Sequence, residues 1–180
     1  MRGNTAKIAV CGVVSALSVV LMMFEGLVQV ASIAIPAIAG CLLIPIVAEA
    51  GAGWALGSYG ATATLCMFIA PDREAALIYL LFFGYYPVLF AWLSKIKSPV
   101  LCWLAKLGVF NTAAALEAAL TVYVLGIPWE DIPFLPMPWG LIALAVLANL
   151  VFVLYDKTLQ GLIREYFRRL HGKLAGYFKN

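Results

Sequence analysis

The segment Pro71-Asp72-Arg73-Glu74, followed by an aromatic run from Tyr79 to Pro87, lies between two long apolar stretches of the chain. It holds three consecutive charged residues in a part of the sequence where charge is scarce. Asp72 after Pro71 is typical of a helix start, because its carboxylate can accept hydrogen bonds from the free N–H groups of a first helical turn. The segment therefore predicts a polar turn that joins two apolar helices.

The composition predicts a protein of the membrane. Of the 180 residues, 64% are hydrophobic and only 12% are charged, whereas a soluble domain carries about 25% charged residues. A soluble fold of this size could not cover so much apolar surface. We therefore expect an all-α integral membrane protein, built as a compact bundle of six transmembrane helices with a basic amphipathic C-terminal helix.

The apolar stretches set the predicted spans. They cover residues 8–24, 35–48, 52–70, 75–93, 100–125 and 139–155. Pro45 lies inside the second span and predicts a kink, since proline removes a backbone hydrogen bond. Residues 1–160 form the predicted membrane domain. In residues 161–180, apolar side chains at three- and four-residue steps alternate with basic ones, so this tail either lies on an anionic membrane surface or extends the sixth span.

The distribution of basic residues orients the bundle. With both termini in the cytoplasm, the inner segments hold eleven of the twelve lysines and arginines, and only Arg73 lies outside. This asymmetry is the positive-inside pattern of multi-pass membrane proteins. The outer segments carry mainly acidic residues, namely Glu25, Asp72, Glu74, Glu130 and Asp131. We therefore expect an acidic outer mouth.

The sequence offers little for catalysis, for a metal or for nucleic acid. The only histidine, His171, lies on the basic tail, and the chain has no phosphate-binding glycine loop. The four cysteines lack metal-ligand spacing and are expected to act as small apolar residues; they are Cys11, Cys41, Cys66 and Cys102. We therefore expect no enzymatic activity, no metal, no cofactor and no nucleic-acid partner.

A few polar residues lie inside the predicted spans, where they are costly to bury. Glu117 in the fifth span favours a role in a ligand site or a wet cavity. Asn111 and Asn149 favour hydrogen bonds that bridge two helices. Trp129 and Trp139 flank the last outer loop, where they serve either as interfacial anchors or as a lid.

Small residues at four-residue steps mark two spans. Gly12 and Ala16 lie on one face of the first span, and Gly53, Gly57 and Ala61 on one face of the third. Such stripes let another helix approach closely in a membrane. For the third span we expect close helix packing as the reason.

These features resemble the substrate-binding S component of an energy-coupling factor (ECF) transporter. The resemblance covers the six-span layout of about 180 residues and the N-terminal segment from Ala9 to Leu21, which follows a basic residue. In that family, small residues four apart on the first span dock on the coupling helices of a transmembrane T component. The resemblance implies that Gly12 and Ala16 do so here, with glycine in place of the first alanine.

The resemblance also implies a mechanism and a location, the bacterial cell membrane. An S component binds a vitamin-like micronutrient near the outer surface, and a T component with two ATPases delivers it inward. An acidic, aromatic mouth suits a cationic or neutral ring compound. Arg73 also allows a ligand that carries a carboxylate. By position, the predicted substrate-binding residues are Glu25, Gln29, Asp72, Arg73, Glu74, Tyr79, Glu117, Tyr123 and Trp129.

One alternative belongs to another class. Small membrane scaffold proteins that resemble the rod-shape determinant MreD have a similar length and number of spans, and they bind no solute. A cavity near Glu117 that contains a bound molecule would favour the transporter interpretation. A filled bundle with a docking tail in the cytoplasm and no outer cavity would favour the scaffold.

Overall fold

All the regular structure in the described part of the chain is helical. The computed structural model describes residues 2–25, 32–126, 128 and 139–169. In chain order the elements are α1 (Arg2–Phe24), α2 (Ala34–Cys41), α3 (Ile44–Glu49), α4 (Ala52–Ile69), α5 (Arg73–Ile78), a π-helical segment (Tyr79–Phe83), α6 (Tyr86–Leu93), α7 (Pro99–Tyr123) and α8 (Gly140–Arg169). The predicted all-α class is confirmed.

Four helical stretches in the described residues are long and apolar enough to cross a membrane. They are Asn4–Phe24, Arg73–Leu93, Pro99–Tyr123 and Gly140–Arg169. The pair α2 and α3 forms a shorter apolar stretch, Ala34–Glu49, and α4 has 18 residues. These lengths suit a membrane protein, while the count of six spans stays a prediction.

The second predicted span is broken into two helices. Helix α2 ends at Cys41 and α3 begins at Ile44, with Leu42 and Leu43 between them. Pro45 occupies the first turn of α3, where its missing N–H is tolerated. The break lies just before the proline because Pro45 cannot donate to the preceding turn.

The fourth predicted span contains a π-helical segment that the sequence did not suggest. Gly84 N donates to Tyr79 O at 2.9 Å, a bond that spans five residues instead of four. The carbonyl of Leu80 accepts a hydrogen bond of 2.5 Å from the Tyr59 hydroxyl on α4. A Cβ at Gly84 would lie 2.4 Å from Cδ2 of Tyr59. The Tyr59 ring is therefore close enough to require glycine at position 84.

Aromatic side chains form the main core, between the π-helical segment, α6, α7 and α8. Phe82 lies at its centre and contacts the rings of Tyr86, Phe110 and Phe152 at centroid distances of 4.7, 5.1 and 5.7 Å. Helix α2 approaches the same core so closely that a Cβ at Gly40 would lie 2.3 Å from the carbonyl oxygen of Phe83. The broken helices are thus held by backbone contact.

Helix α8 runs without interruption from Gly140 to Arg169. The described part of the predicted tail, residues 161–169, therefore extends the last apolar helix, and residues 170–180 lie outside the described residues. Near this end, the Tyr166 hydroxyl donates to Glu49 Oε1 at 2.8 Å, which joins α8 to the end of α3.

Candidate functional site

The polar turn before α5 begins a helix as predicted. Asp72 Oδ1 accepts hydrogen bonds from Glu74 N at 2.9 Å and from Ala75 N at 3.3 Å, so Asp72 caps α5. The Arg73 guanidinium donates to the backbone carbonyl of Met67 near the end of α4. Arg73 therefore closes the turn, and Asp72 stabilises the helix start.

Three carboxylates come together where α1 ends and α5 begins. Glu25 is only 1% exposed, and neither of its carboxylate oxygens has a hydrogen-bond partner among the described residues. Burial, followed by the negative charges of Asp72 and Glu74, raises the pKa of Glu25 from 4.5 to about 7. Glu130 and Asp131 of the predicted acidic mouth lie outside the described residues, and its location at the outer surface stays a prediction.

A cavity of about 190 Å³ lies between the π-helical segment, α7 and α8. Among the lining residues that the structure describes, Glu117 alone carries a charge. Its Oε1 accepts a hydrogen bond of 3.0 Å from the Thr121 hydroxyl one turn further along α7. The lining is otherwise apolar and aromatic, and it comprises Ile33, Ile78, Leu81, Phe82, Phe83, Phe110, Ala113, Ala114, Leu144, Leu147, Ala148, Val151 and Phe152.

The aromatic walls of this cavity have defined geometry. Phe110 on α7 and Phe152 on α8 stack at a centroid distance of 4.6 Å with an interplanar angle of 13°. Phe82 meets Phe110 edge-on, at an interplanar angle of 73°. These three rings belong to three different segments. The walls are therefore fixed by the tertiary packing and present both faces and edges of rings to a ligand.

The other predicted substrate-binding residues lie outside this lining. Tyr79 is fully buried in the core beside α4, and its hydroxyl has no hydrogen-bond partner among the described residues. Tyr123, at the end of α7, is 81% exposed. Gln29 and Trp129 lie outside the described residues. The structure thus brings Glu25 near Asp72 and Glu74 and places Glu117 at the wall of the cavity.

The predicted docking residues lie on an open face of α1. Gly12 and Ala16 are both exposed, and no described atom lies within 4 Å of a Cβ placed on Gly12. Gly12 lines a groove of about 540 Å³ between α1 and α4, together with Gly53 and Gly57. Those two glycines also have open space at the Cβ position in the described chain. Packing inside the bundle is therefore not the reason for the glycines of α4.

A buried ion pair that the sequence did not suggest lies about one helical turn along α7 and α8 from the lining residues Phe110 and Phe152. Lys106 Nζ is 2.7 Å from Asp156 Oδ1, and Asp156 also accepts hydrogen bonds from Tyr86 and Gln160 at 2.6 Å each. The Lys106 ammonium lies 4.1 Å from the ring centroid of Phe90. Charged residues within or next to apolar stretches indicate that a partner is needed. The sequence did not identify the partner, because Lys106 and Asp156 are 50 positions apart.

The interpretation of the two span asparagines is confirmed. Each of Asn111 and Asn149 donates from Nδ2 to Oδ1 of the other at 3.0 Å. Each also donates to the carbonyl four residues earlier in its own helix, at 2.8 Å. The pair joins α7 to α8.

No protein-family model, curated protein or solved structure matches this chain. Fold and site together define an all-α protein whose long apolar helices suit a membrane. These helices enclose an aromatic cavity with one carboxylate at its wall.

Proposed function

We propose that this protein is the membrane-embedded substrate-binding subunit of an ECF-type importer. It captures a small micronutrient at the outer face, and a T component with two ATPases delivers the micronutrient inward. The observation that carries the proposal is the aromatic cavity of about 190 Å³ with Glu117 at its wall. A partly open apolar cavity with few, well-placed polar groups is the usual form of a small-molecule site.

The position of the cavity supports capture from outside. With the N-terminus inside, α7 ends at the outer surface and α8 begins there. Glu117 lies six residues before the end of α7, and Leu144 lies near the start of α8. The cavity thus lies in the outer half of the bundle. The carboxylates of Glu25, Asp72 and Glu74 lie at the same end and give it an acidic approach.

The docking face is separate from the cavity. The groove with Gly12 is lined by α1 and α4, and none of its lining residues also lines the cavity. In lipid, close contact between small-residue faces supplies much of the association energy of two helices. A T component can therefore bind α1 without covering the ligand, as an importer of this kind requires.

The cavity also supports this function over the scaffold alternative. A scaffold that binds no solute needs no cavity, and helices in such a bundle bury their side chains at the density of a protein interior. Here α7 and α8 leave space beside Phe110, Ala114 and Glu117. This space near Glu117 is the feature that favours binding of a solute.

Native mass spectrometry of the purified protein tests the proposal. We expect a small-molecule adduct that is lost when Ala114→Phe fills the cavity. Ala115→Phe is the matched control, because Ala115 is exposed on the next position of α7 and should leave the adduct in place. An adduct that persists in Ala114→Phe, or that consists only of phospholipid, would argue against a solute site.

A further inference from the structure

The size of the cavity limits its ligand to about one ring. An engineered apolar cavity of about 150 Å³ holds one benzene molecule, and the cavity here measures about 190 Å³. There is room for a six-membered ring and a short substituent. A fused tricyclic compound would have to displace Phe110 or Phe152, whose stacked rings form part of the wall.

The walls favour a ring that carries positive charge. The aromatic rings that line the cavity present their faces and edges, and a cation is attracted to the negative face of an aromatic ring. Phe82, Phe110 and Phe152 lie within 5.7 Å of one another by ring centroid. These rings contact one another, so a flat cation that lies against the cluster can contact more than one of them.

Glu117 supplies the counter-charge. It is the only charged residue in the described lining, and the Thr121 hydroxyl fixes its Oε1 at 3.0 Å. Its Oε2 is left to accept a hydrogen bond from a ligand.

The basic residues of the region are engaged elsewhere. Arg73 donates to the carbonyl of Met67 and does not line the cavity. Lys106 is paired with Asp156 and does not line the cavity. A ligand carboxylate would therefore meet Glu117 without a cation to offset the repulsion. This arrangement argues against a ligand with a carboxylate, which the presence of Arg73 had made an option.

We propose that the ligand is a small organic cation with a single ring, which lies against the cluster of Phe82, Phe110 and Phe152 and places its ammonium group against Glu117. This inference rests on the proposed function and narrows its substrate class. Thr121 is a positioning residue, since it holds Glu117 without contacting the ligand. The approach past Asp72 and Glu74 attracts the same charge.

Isothermal titration of the purified protein in detergent, with three matched probes, tests the inference. Phenethylamine is the cation, 2-phenylethanol the neutral analogue and 3-phenylpropanoate the anion. We expect phenethylamine to bind at least about tenfold more tightly than 2-phenylethanol, and 3-phenylpropanoate not to bind. Glu117→Gln should weaken phenethylamine binding by roughly 10- to 150-fold, the range for a charged hydrogen bond, and leave 2-phenylethanol unchanged.

The control variant is Glu165→Gln. Glu165 lies on α8 in an exposed pair with Arg168, so its loss should not change any of the three affinities. Equal binding of the cation and the neutral analogue, no change in Glu117→Gln, or no binding of any probe would each overturn the inference.

The outcomes also separate this inference from the proposed function. A neutral or anionic micronutrient that co-purifies in native mass spectrometry would contradict a cationic ligand but agree with the function as an importer subunit. A protein that binds phenethylamine through Glu117 but never associates with a T component would overturn the importer and leave the ligand class standing.

Discussion

Lys106 Nζ on α7 lies 2.7 Å from Asp156 Oδ1 on α8, and the two side chains are only 5% and 0% exposed. Two charges removed from water carry a large desolvation cost, which their attraction offsets only when further hydrogen bonds complete the site. Tyr86 and Gln160 supply those bonds. The pair therefore fixes how α6, α7 and α8 meet beneath the cavity.

Removing one member of this pair should destabilise the protein strongly. Asp156→Asn leaves the Lys106 ammonium buried without a counter-charge, and we expect a loss of about 3–5 kcal/mol in the free energy of unfolding. Adding Lys106→Met to Asp156→Asn should restore part of that loss. Reversible unfolding in mixed micelles measures both. The control variant Glu165→Gln should lower the free energy of unfolding by less than about 1 kcal/mol, because exposed ion pairs contribute little to stability. The pair of Glu165 with Arg168 is exposed. Equal stability of Asp156→Asn and the unchanged protein would contradict the assignment of a charged pair.

Glu25 should make stability depend on pH. Its folded pKa of about 7 lies above its ordinary value of 4.5, so between these values the folded state binds the proton more tightly than the unfolded state. The contribution of Glu25 to the free energy of unfolding is therefore at its full value below about pH 4.5. It falls as the pH rises to about 7 and slightly beyond. We expect Glu25→Gln to remove that fall, which amounts to about 3 kcal/mol.

Thermal unfolding at several pH values measures the effect of Glu25→Gln. The variant should match the unchanged protein at pH 4 and exceed its melting temperature at pH 8. A variant that is less stable at pH 8 would show that the ionised carboxylate has a partner that stabilises it.

The docking stripe should tolerate large residues without loss of the fold. Because Gly12 faces open space, Gly12→Leu with Ala16→Leu should leave folding and ligand binding unchanged. The same leucines should hold a T-component helix away from α1 and abolish co-purification and ATP-driven uptake. The contrasting variant is Gly40→Ala, whose Cβ would lie 2.3 Å from the Phe83 carbonyl. It should cost about 1–3 kcal/mol of stability. Loss of folding in the double leucine variant would make the stripe an internal packing surface.

The predicted topology can be tested at two exposed positions. In a background without the four native cysteines, Pro71→Cys should react with an impermeant thiol reagent in whole cells, because the turn before α5 is predicted to lie outside. Lys97→Cys, in the turn before α7, should react only after the cells are permeabilised. The reverse labelling pattern would place the acidic end and the cavity on the cytoplasmic side.

Local features of the sequence predicted local structure well. Asp72 caps α5 because the signal for a cap lies within four neighbouring residues. The break before Pro45 follows from the chemistry of one residue. The Asn111–Asn149 bridge was expected because an amide inside an apolar span needs a partner, although the identity of that partner came only from the structure.

Features that depend on distant residues were not predictable from the sequence in the same way. The pairing of Lys106 with Asp156 requires α7 and α8 to meet at a specific rotation, which no local pattern determines. The cavity depends on how Phe110 and Phe152 stack across two helices. The glycines of α4 form a stripe of small residues, which is typical of helix packing. The pattern could not indicate that this stripe lines an open groove at the surface of the bundle.

The unbroken length of α8 has a mechanical consequence. Its 30 residues extend about 45 Å at 1.5 Å per residue, half as long again as a hydrocarbon core of about 30 Å. Phe152, near its middle, lines the cavity, and Arg168 and Arg169 lie at its far end. A rigid rod of this kind acts as a lever: a tilt of about 10° displaces one tip by about 8 Å relative to the other. A ligand that pushes on Phe152 would thus move charges that it never touches.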